Sequence, residues 1–162
     1  MSTLQHQLGK REPFRSATQE AHLNVVRTAA ALEGGFARLF RAHGLTGSSY
    51  NALRILRGAG PSTCSQIGDH LVVRVPDVTR LIDRLAARGF VERARSDEDR
   101  RVVRVAITDA GRVLLAGLDG PVEALHTQQL NHMDAGELRE LSRLLEKARA
   151  GANTPATPGA PL

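Results

Sequence analysis

The segment from Asp77 to Thr108 constrains the fold of this chain more than any other part of the sequence. It combines an amphipathic helical pattern with two runs of alternating apolar residues, which a short charged stretch separates. Nine arginines lie between Arg74 and Arg104, and no metal-ligand set, nucleophile or phosphate-binding glycine loop accompanies them. Cationic side chains on a helix and on a protruding hairpin favour binding to a polyanion, and this geometry suits duplex DNA.

Length and charge limit the class of protein further. A chain of 162 residues is long enough for one domain, or for one small domain with an added interaction layer. The formal net charge is +5, and only two of the 22 basic residues, Lys10 and Lys147, are lysines. Arginine binds phosphates and guanine edges through paired hydrogen bonds, which lysine cannot do. A GC-rich genome would enrich arginine as well, and both explanations stay open.

Several function classes lack the residues that they require. Cys64 is the only cysteine, so an intrachain disulfide is excluded, and we interpret it as a buried structural thiol, with oxidant sensing as the alternative. The six histidines are scattered, so we expect no metal site and no cofactor. We also expect no enzymatic activity. The sequence has no run of 18 apolar residues and no secretory signal, which predicts a soluble cytoplasmic protein without a membrane partner.

Hydrophobic periodicity predicts a mainly α-helical chain with one small β-hairpin. The predicted helices span residues 18–42, 47–57, 63–71, 76–88, 109–129 and 134–150, and the predicted strands span residues 90–94 and 102–107. We expect Gly120-Pro121 to kink or break the fifth of these helices. Pro76 is expected in a first helical turn, where its missing N–H has no intrahelical partner.

Four predicted helix starts carry residues that can cap the free backbone N–H groups of a first turn. These residues are Thr46, Thr108, and the capping-box pairs Thr63 with Gln66 and Asp134 with Glu137.

The order of elements divides the chain into regions. Residues 46–108 are predicted to form a winged helix-turn-helix, in which a hairpin, the wing, follows the recognition helix. The helices within 18–45 and 109–150 are too distant in sequence to form its core. Their apolar stripes therefore predict a homodimer interface, because a second copy of the chain is the economical surface to cover them. Residues 1–17 are expected to be a flexible segment and residues 151–162 a disordered tail.

The helix at residues 76–88 is predicted to have one buried and one exposed face. At 100° per residue, Leu81, Ile82 and Leu85 fall on the same side as Val78. The opposite side carries arginines, a hydroxyl and carboxylates, at a width that the major groove accepts. An ordinary solvated helix face is the alternative, but the capped short helix before it and the charged hairpin after it favour a DNA-binding surface.

Individual roles follow from side-chain chemistry. We predict that Arg80 contacts a base edge and that Asp77 accepts a hydrogen bond from a cytosine amino group. Thr79 is predicted to contact a base or a phosphate, and Arg74 and Arg84 to reach phosphates. We expect Asp83 to serve as an intramolecular partner of Arg80 or Arg84.

The hairpin tip pairs carboxylates with arginines. A carboxylate two residues before an arginine can fix the direction of its guanidinium, and a fixed arginine can enter a narrow minor groove. We therefore predict that Asp99 orients Arg101, which inserts into the minor groove. Arg95 and Arg100 are predicted to lie near phosphates.

These residues resemble the MarR family, the multiple-antibiotic-resistance type of winged-helix regulator. The resemblance covers about residues 18–150 and is sharpest over residues 63–108. Residues 78–85 and 88–91 resemble the recognition helix and strand entry of that family, and residues 99–101 with 105–108 resemble its wing. It implies a homodimer that binds a palindromic operator in double-stranded DNA, with recognition helices in successive major grooves and wings in the flanking minor grooves. It also implies a repressor that releases DNA when a small phenolic or other aromatic effector binds. The residues of the effector site cannot be assigned from the sequence.

Two positions depart from the pattern of that family. Arg74 stands where a capping serine is frequent, and Val72 stands where a glycine is frequent. A second function class is also open: a winged-helix dimer that acts as a protein-interaction module without sequence-specific DNA binding. Such a module would need an acidic or apolar recognition face, and the exposed arginines argue against it.

Overall fold

The computed structural model describes residues 3–95 and 101–152, which are mainly helical with one two-stranded sheet. In chain order the elements are α1 (Thr3–Gln7), α2 (Ala17–Ala42), α3 (Gly47–Ala59), α4 (Cys64–His70), α5 (Val78–Ala87), β1 (Val91–Arg95), β2 (Val103–Ile107), α6 (Asp109–Leu130) and α7 (Ala135–Ala152). The chain divides into two compact units, with the boundary between Leu125 and His126. The first unit contains the predicted winged helix-turn-helix.

One apolar cluster forms the core of the first unit. Its largest fully buried side chains come from α3, α4, α5, β2 and α6, and they are Leu53, Leu56, Ile67, Leu81, Ile82, Leu85, Val105, Leu115 and Leu118. The expectation that the helices within 109–150 lie outside this core was therefore wrong for α6, because the chain folds back and packs Leu115 and Leu118 into it. Burying one leucine or isoleucine side chain stabilises a fold by roughly 1.5–3 kcal/mol. Three of the nine residues belong to the ten-residue helix α5. The core therefore fixes the rotation of this helix about its own axis.

The hairpin is attached to the same core by its base. In the antiparallel ladder, Val91 lies opposite Ile107 and Arg95 lies opposite Val103. Val91, Val105 and Ile107 are buried, while the residues of β1 after Val91 are exposed. Ser62, in the loop after α3, exchanges two backbone hydrogen bonds with Val105, of 3.0 and 2.8 Å. The base of the wing is thus fixed from both sides.

The predicted helix caps are confirmed. The Thr46 hydroxyl accepts a hydrogen bond from the Ser49 N–H, and Thr63 with Gln66 forms a complete capping box. The Thr108 hydroxyl accepts from the Gly111 N–H at 3.2 Å. At the start of α7, the carboxylates of Asp134 and Glu137 accept from each other's backbone N–H groups.

Two expectations for helix starts differ from the structure. No helix was predicted within residues 1–17, but Thr3–Gln7 forms α1 and buries Leu4. Leu4 and Leu8, spaced four apart, were the available signal. Pro76 was expected in the first turn of α5 but lies before the helix. The reason is that the Asp77 side chain accepts from the Arg80 N–H and makes Asp77 the N-cap.

α6 continues through Gly120-Pro121, so the expected break is not observed. A proline removes one backbone N–H donor, and the buried neighbours Leu118 and Val122 keep this stretch of the helix on the core.

The second unit contains α7. A leucine seam runs along α7 and is half-buried at Leu138, Leu141 and Leu145, while Leu144 beside it is exposed. α7 ends at Ala152, and the rest of the predicted tail lies outside the described residues. No helix in the described ranges has the length and hydrophobicity that crossing a bilayer requires.

An ion pair joins α3 to α6 within the first unit. Arg57 donates two hydrogen bonds to the Asp119 carboxylate, of 2.8 and 2.7 Å, and Arg54 lies 3.5 Å from the same group. The hydrogen bonds from Arg57 hold the pKa of Asp119 below its ordinary value. A carboxyl whose pKa is lowered by folding stabilises the fold above its unfolded pKa, and this contribution is lost as the pH falls through the folded pKa.

We therefore predict that Asp119→Asn lowers the free energy of unfolding at pH 7 by about 1 kcal/mol or less, because the pair is partly exposed. The difference from the unmodified chain should begin to shrink below about pH 4, where Asp119 of the unfolded chain takes up a proton, and should vanish once the pH falls through the lowered pKa of Asp119 in the folded chain. Urea denaturation at pH 7 and pH 3 measures both values. Glu123→Gln, an exposed change on the same helix, is the control. A difference that is independent of pH would contradict the assignment.

Candidate nucleic-acid interface

The two faces of α5 are arranged as the sequence predicts. Leu81, Ile82 and Leu85 are buried, and Val78 is half-buried. The side chains on the opposite face are exposed, and they are Thr79, Arg80, Asp83 and Arg84. A single helix with one exposed polar face matches the width of the major groove.

Asp77 has a structural role that the sequence analysis did not assign. Its carboxylate accepts a hydrogen bond of 2.8 Å from the Arg80 N–H and caps the first turn of α5. Such a cap contributes about 1 kcal/mol to helix stability. The contact between Asp77 and a cytosine amino group stays a prediction.

The remaining predicted DNA contacts lie around α5 and on the wing. Arg74 is exposed in the turn before α5, and Arg95 is exposed at the end of β1. Arg101 is exposed just before β2 begins. Asp99 and Arg100 lie outside the described residues, so their predicted roles at the tip stay predictions.

Arg93 connects the wing to the recognition helix. From β1 its guanidinium lies 2.9 Å from the Asp83 carboxylate and 3.4 Å from the Thr79 carbonyl oxygen. Asp83 is thus an intramolecular partner, as predicted, but its cation is Arg93 instead of Arg80 or Arg84, because the hairpin brings an arginine from outside the helix. Strand alternation could have shown this, since Arg93 shares a strand face with the buried Val91.

Arg88 fixes the other end of the recognition helix. Its guanidinium donates hydrogen bonds to the carbonyl oxygens of His43 and Gly44, which follow α2, and stacks over the Phe90 ring at 4.7 Å. Gly44 has a φ of +67°, and a β-carbon there would come within 3.0 Å of the Arg88 guanidinium. The positive φ favours glycine, and the missing β-carbon leaves the Arg88 guanidinium uncrowded at the end of α2.

The arginines of this region thus fall into two groups. Three are engaged within the chain: Arg88, Arg93, and Arg104, which donates to the Pro61 carbonyl oxygen at 3.3 Å. Four others are exposed and form no side-chain hydrogen bond or ion pair with the part of the chain that the structure describes. These four are Arg74, Arg80, Arg84 and Arg95. The second group is a cationic surface that surrounds the exposed face of α5.

The described residues offer little for other chemistry. Within residues 3–95 and 101–152, no group of three histidine, cysteine or acidic side chains could hold a metal ion. Cys64 is half-buried at the start of α4.

Known proteins resemble the chain over most of its length. A model of the MarR family matches residues 45–103. The transcriptional repressor IacR of Pseudomonas putida is 28% identical over 109 residues, which are 67% of this chain and 65% of IacR. The crystal structure of a MarR transcription factor from Planctomyces limnophilus is 46% identical, with a TM-score of 0.64, and the match covers 83% of this chain and 98% of that one.

A third similarity concerns the fold alone. A variant of MarR from E. coli, crystallised with operator DNA, is 22% identical to this chain, with a TM-score of 0.75. The match covers 85% of this chain and 99% of that one.

The contacts of Arg88 predict an effect on stability. Arg88→Ala should lower the free energy of unfolding by about 1–2 kcal/mol, because two charge-assisted hydrogen bonds to the end of α2 are lost. Arg84→Ala, an exposed change on the same helix, should alter it by less than about 0.5 kcal/mol. Urea denaturation of the three proteins provides the comparison. Equal stability of the Arg88 and Arg84 variants would show that Arg88 does not anchor α5.

Proposed function

Because this chain belongs to the MarR family of DNA-binding transcriptional regulators, we propose that it is a homodimeric repressor that binds a palindromic operator and is released by a small ligand. The observation that carries the proposal is the exposed cationic surface around α5, next to arginines that fix the helix from within. This arrangement presents charge at a fixed position, which is what reading the edges of base pairs requires.

Contacts in the major groove would come from α5 and the turn before it. Arg80 is proposed to donate two hydrogen bonds to a guanine edge, and Thr79 to contact a base or a phosphate. Arg74 and Arg84 would bind phosphates on the two sides of the groove. Asp77 would contact a cytosine amino group while its cap holds the first turn of α5 in place.

Contacts in the minor groove would come from the wing. Arg101 is proposed to insert into the groove, with Asp99 holding its guanidinium and with Arg95 and Arg100 on the flanking phosphates. The support for this placement is the hairpin itself, whose base is fixed to the core while Arg95 and Arg101 are exposed at its far end.

The proposed dimer interface comes from residues 18–45 and 109–150. α2 exposes the neighbouring apolar side chains of Val25 and Val26, and α7 carries its leucine seam. Two copies related by a twofold axis would place two α5 helices on half-sites roughly 34–36 Å apart. A protein of this kind acts in the cytoplasm, where it reaches DNA.

Repression and ligand release are the finer parts of the proposal. IacR, a relative of this chain, is named a transcriptional repressor, and blocking a promoter is the simplest effect of a dimer that covers two half-sites. The proposed effector is a small phenolic or other aromatic molecule, and no residue of this chain is assigned to it.

Two single substitutions on α5 test the DNA contacts. Arg84→Ala should weaken binding to all duplexes about equally. It should also reduce the slope of the logarithm of the binding constant against the logarithm of the salt concentration by about one. Arg80→Ala should lower the preference for the selected sequence by about 1–3 kcal/mol. Fluorescence anisotropy at several salt concentrations measures both effects, with duplexes selected from genomic fragments and a scrambled duplex as probes.

Arg11→Ala, a change at an exposed arginine outside the proposed dimer and DNA interfaces, is the matched control and should leave both quantities unchanged. Binding of the unmodified protein that does not depend on salt would contradict the proposed function. A protein-interaction module would give no preference for the selected duplex over the scrambled one.

The Arg93–Asp83 pair predicts a compensating double variant. Arg93→Ala should reduce duplex affinity by about two- to fivefold, because the Asp83 carboxylate then faces the phosphates without its cation. Adding Asp83→Asn should restore most of the loss, since the repulsion is removed. Anisotropy titrations of the two variants measure this. If the double variant binds as weakly as Arg93→Ala, Arg93 acts through its own contact with DNA.

A further inference from the structure

The turn between α4 and α5 exposes two adjacent apolar side chains. Val72 is 85% exposed and Val73 is 67% exposed, whereas Leu71 on one side is buried and Val75 on the other is half-buried. Single exposed apolar residues are common on protein surfaces and need no explanation. Two in succession, at the entrance to the recognition helix, form a small apolar patch at the place where the helix would approach DNA.

The patch has a fixed position. The Val72 N–H donates a hydrogen bond of 2.8 Å to the side-chain oxygen of Asn51 on α3. Leu71 anchors the start of the turn in the core, and the Asp77 cap fixes the start of α5 at its other end. The backbone of the turn is therefore held in place at Val72 and at both of its ends.

Given the DNA binding proposed above, on which this step rests, we propose that Val72 and Val73 recognise thymine through its methyl group in the major groove. In helix-turn-helix proteins, the N-terminal part of the recognition helix lies nearest to the base edges. The thymine C5-methyl is the one apolar group that base pairs present in the major groove. The two valines thus add an apolar preference for thymine to the polar contacts of Thr79 and Arg80.

The chemistry around the patch favours DNA over a protein partner. Arg74 follows the two valines directly, and Arg80 is exposed in the first turn of α5, so a polyanion suits the surroundings. Two side chains are also far too few for a stable protein interface, which buries about 800 Å² on each partner. A patch of this size matches one or two methyl groups.

Replacing thymine with deoxyuridine tests this inference, because it removes the methyl group and leaves the base pairing unchanged. The probe is a duplex selected from random sequence by the unmodified protein, with single thymines replaced in turn. We expect an affinity loss of about fourfold per contacted methyl, at one or two thymines in each half-site. Anisotropy titrations at constant salt measure the loss.

The variant Val72→Ala/Val73→Ala completes the thermodynamic cycle. It should bind the thymine duplex more weakly than the unmodified protein and should no longer distinguish thymine from deoxyuridine at those positions. Leu8→Ala, a change at a 43% exposed leucine outside the proposed dimer and DNA interfaces, is the control and should keep the full discrimination. Thermal unfolding confirms that the variants fold, which is expected because the exchanged side chains are exposed.

The outcomes separate this inference from the proposed function. If no duplex is selected, both fail. If a duplex is bound with the expected salt dependence but deoxyuridine has no effect at any position, or if the valine variant discriminates as well as the unmodified protein, only the role of the valines is overturned. A selected sequence that has no thymine next to the recognition helix would also overturn only the role of the valines.

Discussion

The attachment of α5 by arginine side chains is the interaction on which the rest of the structure depends. A helix of ten residues is only marginally stable alone, and burial of its apolar face fixes its rotation but not the position of its ends. Arg88 ties the C-terminal end to the carbonyl groups after α2, and Arg93 ties the first turns to β1. Without these contacts, the exposed arginines could not hold a constant position relative to a duplex.

The arginines of this region therefore have two different roles, one in the fold and one at the surface. Arginines with several hydrogen-bonding N–H groups can bridge separate elements, and Arg88, Arg93 and Arg104 do so within the chain. Arginines of the same type, a few residues away, stay exposed and supply charge to the surface. The high arginine content therefore serves the fold as well as binding, which composition alone could not distinguish.

Much of this arrangement follows from local patterns in the sequence. The spacing of Leu81, Ile82 and Leu85 predicts which face of α5 is buried, and the caps at Thr46 and Thr63 predict where two helices begin. These signals depend on neighbours within one or two helical turns, and such local contacts can be predicted from the spacing of residues in the sequence.

Contacts between distant residues could not be predicted in the same way. Arg88 donates hydrogen bonds to carbonyl groups that lie 44 and 45 residues earlier in the chain, and nothing in the local sequence pattern distinguishes it from Arg84. The sequence favoured cations on the same helix as partners of Asp83. The position of β1 that brings Arg93 to it is set by tertiary packing, which the local sequence does not show. The exposed face of α5 could thus be predicted from the sequence, but the contacts of Arg88 and Arg93 that hold the helix in place could not.

Methylation interference on the selected duplex tests the central claim most directly, because guanine N7 lies in the major groove where the exposed face of α5 would be placed. The account predicts two groups of guanines, related by twofold symmetry and about one helical turn apart, at which methylation prevents binding. Interference that is absent, or that is confined to a single unsymmetrical group, would contradict the placement of paired recognition helices in the major groove.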